Sequence, residues 1–146
     1  MEFMKKQAAG FYLSLLVAII GLVGLIRYTG NCKTAYFSNL GTDTRVLVCF
    51  VAAILLEAVF IAGSEILKKR TALDICPVAA AVLFTVGTLL FISARVNGIA
   101  AIMTFTNNAS TMADLNHTVI TIVFCVITMI LAMAASFFSV VKEAKD

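Results

Sequence analysis

The stretch TVITIVFCVITMILAMAASFFSVV, Thr118–Val141, contains no charged residue and no polar face. A helix of a soluble bundle keeps a polar stripe opposite its buried one, and this stretch has none. As a helix it is long enough for a hydrocarbon layer of about 30 Å, which takes about 20 residues. Its small and hydroxyl-bearing residues, Thr121, Cys125, Thr128, Ala132, Ala135 and Ser139, recur in alternating steps of four and three. That spacing sets them on one helix face, the kind of face along which helices approach closely in lipid.

Three more apolar runs flank it: Ala8–Ile26, Val46–Leu67 and Cys76–Arg95. Apolar residues make up 62% of the 146-residue chain and charged residues 13%, against roughly half and a quarter in soluble domains. The excess is concentrated in the four runs, which only a bilayer accommodates. The expected fold is all-α: one domain over residues 1–146, a compact antiparallel bundle of four transmembrane helices. The segments between the runs are too short to build a core of their own. Met1-Glu2-Phe3 before Met4 reads as a cloning scar. The first run is too long for a signal-peptide core, and Gly21, Gly24, Arg27 and Tyr28 make a poor cleavage region.

Basic residues set the expected orientation. Lys5, Lys6, Lys68, Lys69, Arg70, Lys142 and Lys145 fall on one side, and Arg27, Lys33, Arg45 and Arg95 on the other. Both termini and the Lys68–Asp74 link are therefore expected in the cytoplasm. The expected location is multi-pass in a plasma membrane, the inner membrane of a bacterium. The net charge of +3 comes mostly from the clustered side, as suits anionic lipid.

Each span carries a stripe suited to helix contact. The first shows Gly10, Ser14, Ala18 and Gly21. The second places Ala53, Glu57 and Ser64 on one face. The third offers Ala81, Thr85 and Thr88, leading toward Arg95. Pro77 suits the first turn of the third helix. The apolar segment Gly98–Phe105 follows Arg95 and Asn97, and reads as an extension of the third helix or an interfacial turn.

Glu57 is the main candidate for chemistry. It lies near the middle of its span, where a charge costs about 2.5–3.5 kcal/mol on insertion scales. Burial favours its neutral form unless a cation or hydrogen-bond donors hold it ionised. It reads either as a proton- or cation-coupled site or as a protonated structural acid bonded to Thr85, Thr88 or Thr128. Arg95 is the second candidate, dipping toward Glu57 or snorkelling to the interface. Cys32, Cys49, Cys76 and Cys125 form no CxxC pair, and only Cys32 and Cys49 come close enough to be considered for a disulfide. His117 is the only histidine. No metal-ligand cluster, phosphate loop or nucleic-acid patch is present. No cofactor, metal or catalytic residue is expected.

The run AAILLEAVF, Ala52–Phe60, resembles the glutamate-bearing first helix of small multidrug transporters. Here, however, the glutamate sits in the second span, the loop charge is biased, and tryptophan is absent. No family is assigned. The leading expectation is an oligomeric transporter or channel-like component for an ion or small solute, its path running between copies past Glu57. The alternative is a non-catalytic accessory or assembly subunit held by a membrane partner. A lipid- or quinone-modifying enzyme is the third reading.

Overall fold

The computed structural model describes residues 9–66 and 75–138. Ser139, the side chains of Ser64 and Glu65, the basic clusters, and the proposed scar lie outside what it describes. Among the described residues four α-helices follow one another: α1 (Ala9–Asn31), α2 (Thr44–Ile66), α3 (Ile75–Thr104) and α4 (Ala109–Ala135). A short 3-10 turn, Ser38–Leu40, interrupts the α1–α2 connection. All four helices are long and apolar enough to cross a membrane. This is a multi-pass membrane protein with an all-α four-helix fold.

The helices pack as a closed square: α1 on α2, α2 on α3, α3 on α4, and α4 back on α1. The end where α1 begins and α4 finishes is called proximal here; the opposite end, with the two turns 32–43 and 105–108, is distal.

Apolar runs mark lipid, not helix ends, so the helices overshoot them. α1 continues beyond Ile26 to Asn31, and α3 beyond Arg95 to Thr104. Gly98–Phe105 is thus mostly the last turns of α3, the extension considered above. α4 starts at Ala109, well before Thr118, because Asn108 caps it. The Asn108 side chain accepts from the Thr111 N–H at 3.0 Å, and the Thr111 hydroxyl accepts from the Asn108 N–H at 3.1 Å. Pro77 falls in the first turn of α3, where its missing N–H leaves no bond unmade.

Every helix buries one stripe in three-four steps. On α4, Thr121, Cys125, Thr128, Ala132 and Ala135 are all buried, as their spacing predicts. α2 buries Val46, Phe50, Ala53, Glu57 and Phe60. On α1 the buried stripe is Gly10, Ser14, Val17, Gly21, Gly24 and Tyr28. Ala18 is only half-buried, a correction to the expected stripe. The seam is defined by steps that alternate three and four, so Val17 rather than Ala18 completes the face. Leu22, Ile26, Leu55, Val82, Leu89 and Ile130 point outward and are roughly half exposed or more, as a lipid-facing surface requires.

Two aromatic rings lock the centre. Phe50 of α2 and Phe84 of α3 meet edge to face at 5.5 Å. Glycines make room for them: a Cβ at Gly87 would lie 2.8 Å from the Phe50 ring and 3.2 Å from the Cys49 Cβ, and one at Gly21 would lie 2.8 Å from the Phe84 ring. Gly87→Val is therefore expected to lower stability by about 1–3 kcal/mol through overpacking, with partial recovery when Phe50→Leu is added. Thermal unfolding in mild detergent checks this. A Gly87→Val protein as stable as the parent would mean the rings are not held this tightly.

The distal turn folds back as a strap over the bundle. Phe37 is fully buried beside Ile102 and Leu115, with Tyr36 and Ile99 packed on them. Gly98 permits this approach, since a Cβ there would meet the Phe37 ring at 2.7 Å. The strap is tied down at both ends. The Asp43 N–H donates to the Tyr28 hydroxyl at 2.8 Å, and the Tyr36 N–H donates to Asp114 Oδ2 at 2.9 Å.

Candidate functional site

Ring contacts set the register of the square. Phe50 lies at the level of Gly87 and Gly24, with Cys125 beside Gly24. Two helical turns toward the proximal end, about 10 Å, bring Val17, Glu57, Ala80 and Ala132 to one level. All four are completely buried. Glu57 is thus the one ionisable group in a layer otherwise walled by alanine and valine. The Phe50–Phe84 pair closes the layer distally. Phe60, Ser14, Pro77 and Ala135, all buried, close it proximally.

Neither carboxylate oxygen of Glu57 has a hydrogen-bond partner. The Ser14 hydroxyl on α1 is set against the carboxyl, yet it too lacks a partner in hydrogen-bonding geometry. Three oxygens from two helices therefore stand together without a hydrogen-bond partner in a layer of apolar side chains. Polar atoms buried in protein almost always find partners, and orphaned ones are costly. Such a concentration, at a depth where a charge is already expensive, is the most unusual feature of the bundle.

The threonines expected around Glu57 bond elsewhere. Thr85 donates to the Ala81 carbonyl at 2.8 Å and Thr128 to the Phe124 carbonyl at 2.8 Å, each back along its own helix. Thr88 donates across the bundle to the Cys125 carbonyl at 3.4 Å. The polar side chain set against Glu57 is therefore that of Ser14 rather than of Thr85, Thr88 or Thr128. Ser14 belongs to the recognised stripe of α1, but its pairing with Glu57 depends on the α1–α2 register, which no sequence signal carries.

Arg95 does not reach Glu57. Fifteen residues of helix separate it from the Ala80 level, a rise of about 22 Å. Nor does it snorkel, being 2% exposed. It is held beneath the strap, its guanidinium 5.0 Å from the Phe37 ring centre and 5.9 Å from that of Phe91. Nη2 donates to Cys32 Sγ at 3.2 Å and to the Gly41 carbonyl at 3.5 Å, while Nε has no partner. Tyr28 stands edge-on to Phe91 at 5.1 Å. Among the described residues no carboxylate pairs with Arg95. Aromatic faces and a thiol take that place, which is the favoured surrounding for a weakly hydrated guanidinium. Sequence reasoning did not foresee this cage, because Phe37 and Cys32 reach it only through the fold of the strap.

The remaining candidates are ordinary. Cys32, Cys49, Cys76 and Cys125 are all free thiols, so the Cys32–Cys49 disulfide considered from sequence is not formed. Arg45 makes an exposed ion pair with Asp43 at 3.2 Å. The hydrogen bonds from Arg45 hold the Asp43 carboxyl below the usual carboxylate range. His117 packs beside Gly30 at the distal level. Among the described residues no three His, Cys, Asp or Glu side chains gather as a metal site. No protein family, curated protein or solved structure matches this chain.

Proposed function

We propose that this chain is a small transport protein in which Glu57 is the ion-exchanging group. The observation that carries this reading is the completely buried carboxyl with two unpartnered oxygens, held in lipid-shielded small-residue packing. Ionisable groups retained at such depth mark ion pathways and relays. Glu57 points into its own bundle, so the expected path between copies is replaced by one through the interior, opened by movement of the helices around the Glu57 layer. The charge bias of the basic residues orients the proximal end toward the cytoplasm. Glu57 and Arg95 lie too far apart to act on one substrate, which leaves the enzyme reading without a shared site.

The test is flux through proteoliposomes containing the whole chain. Glu57→Gln is expected to cut ion flux at least tenfold while leaving helix content and elution volume unchanged. Equal flux in parent and variant would end the transport reading.

A second reading keeps one specific observation in its favour. Beyond the level of Arg95, Leu40, Met103 and Phe105 are 59%, 64% and 87% exposed. Exposed apolar side chains gathered at one end of the bundle suit contact with another protein, as an accessory subunit would need.

A further inference from the structure

We propose that the species bound and released at Glu57 is a proton, and that Ser14 is its positioning partner on α1. This deepens the transport reading above and rests on it. The site supplies three oxygens: two from the Glu57 carboxyl and one from the Ser14 hydroxyl. Val17, Ala53, Ala80 and Ala132 complete the surroundings and are fully buried, and their side chains offer no ligand atoms. Calcium needs six to eight oxygens and magnesium an octahedral six. An alkali ion likewise needs its water shell replaced by a full set of oxygens. Here the hydroxyls that might complete a shell stand elsewhere: that of Thr88 reaches the Cys125 carbonyl, that of Thr128 lies at the Gly24 level, and that of Thr85 turns back to Ala81 along α3. An organic ammonium needs volume, and both core side chains are 0% exposed within their packing. A proton needs neither ligands nor space.

The exchange balances simply. On loading, a proton forms an O–H bond with one Glu57 carboxylate oxygen, and the neutral acid and the Ser14 hydroxyl can then share a hydrogen bond. On release that O–H bond breaks, the proton leaves to water, and the Ser14 O–H can turn to donate to the carboxylate. No other core group facing Glu57 competes. Ser14 and Val17 face it from α1, Ala80, Ala81 and Phe84 from α3, and Thr128, Ala132 and Ala135 from α4, and none is charged or acidic. The titratable core groups Tyr28, Cys49, Arg95 and Cys125 stand at or distal to the Phe50–Phe84 pair. Cys76 lies half-buried at the proximal start of α3.

Infrared spectroscopy of the full chain in lipid nanodiscs tests the assignment. A carbonyl band of a protonated carboxylic acid is expected that is absent in Glu57→Gln, is retained in shifted form in Glu57→Asp, and disappears as pH rises. Ser14→Ala is expected to move both the band and its titration midpoint, the latter by about one pH unit for a lost hydrogen bond; Ser14→Thr restores both. Replacing sodium and potassium by N-methylglucamine is expected to change nothing. A band that never titrates, or that ignores Ser14→Ala, marks a structural acid and overturns the proposal. So does a band that sodium abolishes, or no Glu57 band at any pH. A titrating, serine-sensitive band in a protein without flux would defeat the transport reading alone.

Discussion

Phe50→Ala is expected to destabilise the bundle by about 3–5 kcal/mol, the range for removing a buried aromatic ring from a packed core. Phe50 is 0% exposed, and it fills the notch that Gly87 leaves while meeting Phe84 edge to face. In lipid the unfolded reference helix also sits among hydrocarbon. The loss is therefore one of packing contacts across the cavity rather than of hydrophobic transfer. The same ring forms the distal lid of the Glu57 layer. Its removal should let water approach Glu57 from the distal side, so proton exchange at the carboxyl should accelerate as stability falls. Unfolding in graded denaturing detergent and hydrogen–deuterium exchange of the Glu57 acid band measure both effects. A stability loss without faster exchange would show that the layer is sealed by something other than this pair.

Arg95→Ala and Arg95→Met should differ sharply. Alanine leaves a void under the strap and removes two cation–π contacts, each worth about 0.5–2 kcal/mol. With the cavity included, a loss of about 2–4 kcal/mol is expected. Methionine keeps most of the volume and lies well against Phe37, Phe91 and Cys32. Replacing buried charge by apolar bulk is often neutral or stabilising, so Arg95→Met should retain nearly full stability. Thermal midpoints, together with limited proteolysis of residues 32–43, decide the matter. Equal damage from both substitutions would mean that the positive charge itself, rather than the side-chain volume, holds the strap.

The architecture was legible in the sequence because lipid imposes the strictest pattern a chain can carry. Four long apolar runs with almost no charge admit one reading, and the three-four spacing from Thr121 to Ala135 named the buried face of α4 residue by residue. Glu57 stood out for the same reason: a carboxylate in such a run has no cheap explanation. What escaped was everything set by relative helix height. Whether Glu57 meets Ser14 or Thr128 depends on how far α1 slides against α2, and that is fixed by Phe50 and Phe84 seating on Gly87 and Gly21. Local spacing carries no record of such knob-in-notch fits. The cage around Arg95 escaped for a related reason. Its walls come from the 32–43 turn, whose path over the bundle is set by long-range ties to Tyr28 and Asp114.

Those ties have a mechanical consequence. Asn31 donates to Thr118 at 2.7 Å, the strap is fastened to α1 and α4, and Arg95 bonds across to Cys32 and Gly41. Among the described residues these bonds between helix ends lie distally, so that end is the stiffer one. Tweezers fastened at one tip spread at the other. If Glu57 exchanges protons as proposed, the helix movement that admits water to it is expected to start away from these fastenings.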